Sequence, residues 1–351
     1  MVRRSCICVL PHFFRNNIGS YHGRSRGCKN YHMMKTSLFR FSFLFSFAVA
    51  LLTACSGGSE SDPDTDAGSS TPAGQNANKN LTAVHPEYGR LEVPRLASGN
   101  YYVLIHRSPE LGVNYMTEWD ATKKAQRWSA YIMTAATMEK NVSRYEPSGG
   151  ELQYPFDDQL PQDAYFSKDP FSGSGYQHGH VCPSADRLSS RTANKQTFYL
   201  TNMQPQVGDF NEQGGTWYNM ENKVRSIAGR SAWVDTLFVV KGGTIGDGKY
   251  VNAATGKSYN LIYQTLSNGL VVPRYFFVAL LRKKGNLYDG IALWFSQIAL
   301  ENDIQDARLA KYAISIDELE ARTGIDFFCN LPDDVEEAVE KEFNTSLWGF
   351  N

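Results

Sequence analysis

The stretch "GSGYQHGHVCPSADR", residues 173–187, sets two histidines, a cysteine and an aspartate between a glycine-rich run and Cys182-Pro183. Glycine and proline punctuate chains, so the segment between them reads as one short extended element. Side chains alternate along an extended chain, which puts His178, His180 and Cys182 on one face and Gly179 and Val181 on the other. Three metal-ligand side chains on one face admit zinc. Structural zinc sites, however, draw ligand pairs from separate elements, and no further Cys or His pair follows. Histidines satisfied inside a core strand and a strand end carrying catalytic groups both stay open on these residues alone.

Outward from this stretch the chain has strand character at 100–107 "NYYVLIHR", 236–245 "TLFVVKGGTI", 274–283 "RYFFVALLRK" and 289–295 "DGIALWF". Each is rich in Val, Ile, Tyr or Phe and bounded by Gly, Asn or Pro. Helical spacing is clearest at 216–228, where Trp217, Met220, Val224 and Ile227 form one stripe. Weaker helical candidates are 122–133 "TKKAQRWSAYIM" and 315–324 "SIDELEARTG", the second with a serine start and Gly324 as a stop. The mixture predicts an α+β fold with a mixed or antiparallel sheet at its core and flanking helices.

The first third reads differently. Residues 34–55, "MKTSLFRFSFLFSFAVALLTAC", carry Lys35 and Arg40, an apolar run and then small residues, the pattern of a secretory signal too short for a comfortable membrane span. Its end, Leu52-Thr53-Ala54-Cys55, resembles a bacterial lipobox, which makes Cys55 the expected lipidation site. A signal must stand at a true N-terminus, so residues 1–32 are expected to lie upstream of the start and 33–55 to be the signal. Residues 56–80 have no aromatic or large aliphatic side chain and read as a flexible linker, leaving 81–351 as one domain. Removing the eight Lys and Arg of residues 1–55 from the total of 35 leaves 27 basic against 36 acidic residues, so the processed chain is acidic. It is expected in the cell envelope, lipid-anchored to a bacterial membrane.

The stretch 197–225, "TFYLTNMQPQVGDFNEQGGTWYNMENKVR", adds the partners that the opening segment lacks. Gly179-His180 with "CPSADR", Thr201-Asn202-Met203 with Pro205-Gln206, Phe210-Asn211, Trp217 and Met220-Glu221 occur in an order that resembles the DNA/RNA non-specific endonuclease family, the ββα-metal nucleases. "QRWSAY" at 126–131, "VVKGGTI" at 239–245 and "TGIDFFCNLPDD" at 323–334 extend the likeness over most of 90–340.

The resemblance implies a Mg²⁺-dependent, or Mn²⁺-dependent, endonuclease that hydrolyses phosphodiester bonds of DNA and RNA without reading sequence. His180 would be the general base, Asn211 the metal ligand, and Glu221 a carboxylate reaching the metal through water. Asn202 would orient the base or a water, and Arg144 would clamp phosphate. His178 stands where the family has a charged arginine, and Gln177 where it has an acid. The interval "NEQGGTW" is longer than the family's, which leaves the placement of Asn211 to be tested. Alternatives are a surface lipoprotein that binds a ligand on a catalytically impaired nuclease scaffold, and a phosphodiesterase acting on a non-polymeric substrate. With Cys55 consumed by lipid, Cys182 and Cys329 are the remaining cysteines of the processed chain, and an oxidising compartment makes a disulfide between them the expectation.

Overall fold

The computed structural model describes residues 75–298 and 309–350. The signal segment, residues 1–32 and Cys55 lie outside the described residues. No helix among the described residues is long and apolar enough to cross a membrane.

Strands β1 (Tyr101–Ser108), β2 (Gly112–Asp120) and β3 (Ala125–Met133) form a meander, followed by a short hairpin of β4 (Gln177–His180) and β5 (Met203–Gln206). Between those two strands lies helix α1 (Arg191–Gln196), and after them come α2 (Gly208–Asn211) and α3 (Thr216–Ala228). Strand β6 (Thr236–Gly243) returns to the main sheet. Two small ribbons follow, β7 (Lys249–Val251) with β8 (Ser258–Asn260) and β9 (Ile262–Thr265) with β10 (Val271–Pro273). The long hairpin β11 (Tyr275–Lys284) and β12 (Leu287–Ser296), then β13 (Ala313–Ile314), α4 (Ile316–Thr323), α5 (Asp333–Lys341) and α6 (Thr345–Trp348) complete the order.

The main sheet has seven strands in the order β1-β2-β3-β6-β11-β12-β13, and every pairing in it is antiparallel. Its central strands are apolar on both faces, so each residue parity fills a different core. Leu237, Val239, Phe276, Val278 and Leu280 face one side, where the α3 stripe of Trp217, Met220, Val224 and Ile227 packs. Phe238, Val240, Phe277, Ala279 and Leu281 face the other, where Ile316 and Leu319 of α4 and Phe327, Phe328 and Leu331 pack.

Of residues 122–133, where the sequence pattern predicts a helix, 122–124 are turn and 125–133 are strand β3. The apolar residues there belong to both faces: Trp128 and Ala130 enter the core under α4, while Tyr131 and Met133 enter the core under α3. A short run apolar on both sides is ambiguous by period alone, and pairing with β2 and β6 decides it. The 315–324 helix forms as expected, with the Ser315 hydroxyl accepting from the Glu318 amide and Gly324 closing it in the left-handed region.

Two further expectations are corrected. Residues 75–80 are part of the domain surface and not free linker. The Gln75 carbonyl accepts from the Asp333 amide, Asn76 donates to the Cys329 carbonyl at 2.9 Å, and Asn78 donates to Glu336 at 2.9 Å. Asn80, buried, bridges the Pro94 carbonyl and the Leu96 amide. Asparagines dock by hydrogen bonds that an apolar-content argument does not register. The Cys182–Cys329 disulfide is not formed, and both thiols are free and buried. Cys182 belongs to the core under α3, whereas the Cys329 thiol donates to the carbonyl of Val93, a residue of the core on the opposite side of the sheet. Bridged cysteines need Cα atoms roughly 5.5 Å apart, which a sheet standing between the two forbids.

Candidate active site

Strand β4 presents His180 at its end, paired in register with Met203 of β5. Gly179 faces inward, and a Cβ there would fall 2.3 Å from the Gln206 side chain, so glycine is required by the close approach of β5. Past the strand, Asn202 holds both backbone groups of Cys182: its Oδ1 accepts the Cys182 amide at 2.9 Å and its Nδ2 donates to the Cys182 carbonyl at 2.8 Å. The second Nδ2 hydrogen goes to the Thr197 carbonyl at 2.8 Å. Trp217, on α3, donates its indole N–H to the His180 carbonyl at 3.3 Å. Hairpin and helix are thus tied together at His180.

The His180 ring meets Phe198 edge-on, with centroids 4.9 Å apart. Its Nε2 is buried and has no hydrogen-bond partner. Burial pushes His180 down to about 3, and the charge of Arg144 and the nearby His178 act in the same direction. The imidazole is therefore neutral at every ordinary pH. Arg144 is exposed and lies over the Phe198 ring at 4.7 Å, so Phe198 contacts both the His180 ring and the Arg144 guanidinium.

Asn211 ends α2, whose Phe210 is locked against Trp217 with ring centroids 5.7 Å apart. The longer interval before Trp217 is absorbed by a turn at Gly214, φ +95°, and Gly215, where a Cβ would lie 2.4 Å from the Phe210 carbonyl oxygen. Asn211 consequently stays beside β4 and donates its Nδ2 to Gln177 Oε1 at 2.9 Å. Gln177 in turn donates to Glu212. One amide hydrogen is engaged in this way, which fixes the side chain's orientation, and Asn211 Oδ1 is the atom that could act as an oxygen ligand.

Glu221 follows Trp217 by one turn of α3, with its side chain 15% exposed. Burial pushes its carboxyl up to about 7, opposed by Lys241, and Asp186 adds repulsion while Arg225 offsets it. Arg225 donates to Asp186 at 2.8 Å and stands 3.8 Å from Glu221. Asp186 also accepts from the Tyr131 hydroxyl at 2.9 Å. Lys241, on β6, is fully buried, and its ammonium lies 5.7 Å from the Tyr131 ring centre and 5.6 Å from that of Trp217 with no hydrogen-bond partner. Acids and bases alternate in this network beneath the site.

A family model described as DNA/RNA non-specific endonuclease matches residues 109–334, a span containing every one of these groups. The chain belongs to that family. This family member is 33% identical over 178 residues to a nuclease of Nostoc sp., covering 49% of the chain and 57% of that protein. It is 26% identical over 228 residues to nuclease C1 of Cunninghamella echinulata, covering 62% of the chain and 81% of the relative. Human mitochondrial nuclease EXOG is 24% identical over 221 residues, 62% of the chain and 56% of the human protein. The chain thus spans little more than half the length of two of these three relatives. The solved structure of EndoG in complex with EndoGI superposes with a TM-score of 0.51 at 21% identity, over 65% of this chain and 87% of that one, and shares its fold.

The charge of Arg144 acts on both His180 and Glu221, and Asn211 is bonded to Gln177 of the strand that carries His180; Asn202 and His178 are engaged elsewhere. The Asn202 amide is fully buried and bonded to the backbone of Cys182 and Thr197 and to the Ser129 hydroxyl, so it sets the strand end behind His180. His178 is stacked between Tyr154, centroids 3.7 Å apart, and Phe171, 4.4 Å, and its Nε2 is 2.9 Å from Asp169. Burial lowers its pKa against the pull of Asp169, so it is no substitute for a permanently charged arginine. Of the basic residues near the motifs, Arg187 is buried and donates to the carbonyls of Asn114, Asp186 and Ile132. Lys195 and Arg191 remain near the surface, each beside the Tyr145 ring, which itself packs on Phe198. Sequence reasoning missed Lys241 and the anchoring role of Gln177. A lysine inside the apolar run "VVKGGT" was the signal that could have found the first.

Proposed function

We propose that this chain is a Mg²⁺- or Mn²⁺-dependent endonuclease that hydrolyses DNA and RNA phosphodiesters without sequence preference, held at a bacterial cell envelope through lipid on Cys55. The observation that carries the reading is the buried, unpartnered Nε2 of a half-buried, neutral His180, with the exposed Arg144 acting on both His180 and Glu221 and Asn211 bonded to the strand that carries His180. The donor set fits a hard divalent cation: Asn211 Oδ1 would hold it directly and Glu221 through water. Such an ion, when bound, neutralises charge on the phosphate and the leaving oxygen.

The residues divide the work. His180 Nε2 takes a proton from the attacking water, as a neutral imidazole with a free lone pair can. A pKa near 3 makes a weak base, but an adjacent phosphodiester anion favours the imidazolium and raises it on substrate binding. Arg144 offers a forked guanidinium to phosphate oxygens, steadied by Phe198. Glu221 is ionised above about pH 7 and Lys241 favours that form. Gln177 aligns the Asn211 amide. An acidic chain with few exposed cations at the site is expected to bind polymer weakly and with strong salt dependence.

Incubation of the purified protein with plasmid DNA and with RNA, in Mg²⁺ and in EDTA, tests the reading. Metal-dependent cleavage of both supports it. Binding without cleavage favours the ligand-binding lipoprotein, and hydrolysis restricted to small diesters favours a non-polymeric phosphodiesterase.

A further inference from the structure

On the face of the sheet opposite α3, helices α4 and α5 pack on each other and on β12 through Ile316, Leu319 and Val339. Asp317 and Glu320 are three residues apart in α4 and so share a flank of that helix. The last turn of α5 brings Glu340 to the same place. One carboxylate oxygen from each of the three lies within 4.8 Å of the others. Glu340 is only 8% exposed, and its buried Oε1 has no hydrogen-bond partner. Glu320 accepts the Phe327 amide at 2.6 Å, and Asp317 is open to solvent.

The surroundings make this arrangement costly for an empty cluster. Among the described residues no ion pair includes Asp317, Glu320 or Glu340. Lys341 acts on Asp317 from a distance but is bonded to Glu337. Arg322 on α4 is bonded to Glu318 and turned over Tyr250 and Trp294. The neighbouring charged groups are more acids, Glu336 and Asp326, which the Asn78 amide relieves by donating to both. Burial together with this mutual repulsion pushes Glu340 up to about 9 and Glu320 up to about 8. A buried carboxylate without a cation or donor is one of the more expensive arrangements a fold can hold.

We propose that Asp317, Glu320 and Glu340 form a second divalent-cation site, of calcium type, that fastens α4 to α5 and is separate from the ligand set around Asn211. All three donors are carboxylate oxygens and no His or Cys stands among them, which selects a hard cation over zinc or copper. Calcium–oxygen distances of about 2.4 Å place ligands on opposite sides of the ion about 4.8 Å apart, so the cluster closes around such an ion with little movement. Exposed Asp317 supplies the entry path and a position for water. Asn78, bonded to Glu336 and Asp326, ties residues 75–80 to the same corner, so the cation would also steady the start of the domain.

The test is thermal unfolding and calorimetric Ca²⁺ titration of the whole protein and three variants, Glu340→Gln, Glu320→Gln and Asn211→Ala. Wild type and Asn211→Ala should bind Ca²⁺ at this corner and melt about 5 °C higher at a hundredfold excess over Kd. Glu340→Gln and Glu320→Gln should lose that rise, while melting in EDTA close to wild type, because glutamine matches the shape and neutrality of the protonated carboxyl that burial favours without metal. A Ca²⁺ response that survives Glu340→Gln, or vanishes only in Asn211→Ala, overturns the proposal. So does a wild type whose melting temperature responds to pH alone and to no divalent cation, since that would make the cluster a shared-proton site. None of these readouts is nuclease activity, so the result stands apart from the proposed function.

Discussion

The two faces of the sheet bury carboxylates in opposite company. Under α3, Asp186 and Glu221 are interleaved with Arg225 and Lys241, and the charges compensate in place. Under α4 and α5, Glu320, Glu336 and Glu340 gather without a bonded cation. Comparable burial therefore leaves one side poised close to neutrality, with Glu221 near 7, and pushes the other to values that only protonation or a bound ion relieves. What differs is whether the fold supplies the counter-charge itself.

The sharpest way to break this contrast is at the poised side. His180→Ala should lower plasmid cleavage by at least about a hundredfold, the usual contribution of a positioned base, with the melting temperature almost unmoved. Cleavage at the wild-type rate would end the assignment of the base. Gln177→Ala removes the partner of the Asn211 amide, and the Mg²⁺ concentration for half-maximal activity should rise about ten- to a hundredfold, as for other residues that orient a ligand. An unchanged metal requirement would show that Asn211 needs no anchor.

Lys241→Met removes the cation that opposes the raised pKa of Glu221. With that cation gone the Glu221 pKa rises further and less carboxylate is present at neutral pH, so metal affinity at pH 7 should drop about tenfold and recover as pH rises. In wild type the same logic predicts proton release on metal binding below about pH 7, measurable by calorimetry in buffers of different ionisation enthalpy. A pH-independent loss in Lys241→Met would point to a packing defect. His178→Phe keeps the stack between Tyr154 and Phe171, and activity should stay within about threefold of wild type with the pH profile unmoved. A profile that moves would restore a charge role to His178. The smallest effect is none at all: alkylation after denaturation without reductant should label both Cys182 and Cys329, read by peptide mass.

Much of the site was legible because its signals are local. The spacing of Trp217, Met220, Val224 and Ile227 implies a helix that buries one stripe and leaves Glu221 at its edge, and the structure has that helix. Alternation around Gly179 places His180 on a strand, and the strand forms. Local signals failed where a side chain's partners come from far along the chain. Asn202 looks like a group that could orient a water, yet three of its bonds go to the backbone of Cys182 and Thr197 and a fourth comes from the Ser129 hydroxyl. His178 looks like a substitute cation until Tyr154, Phe171 and Asp169 close around it.

Residue type and order along this chain determined the strands of β6, β11 and β12, the amphipathic α3 and the capped α4, because period and punctuation are properties of neighbouring residues. They also carried the family pattern of His180, Asn211 and Glu221. Tertiary structure alone decided that residues 125–133 are a strand, since an apolar run buried on both faces has no preferred period until β2 and β6 pair with it. It also decided that Cys182 and Cys329 remain apart, since sequence counts thiols but only the sheet between them sets their distance. The same holds for the meeting of Asp317, Glu320 and Glu340, because a charge's energy depends on which groups the packing of distant segments places around it.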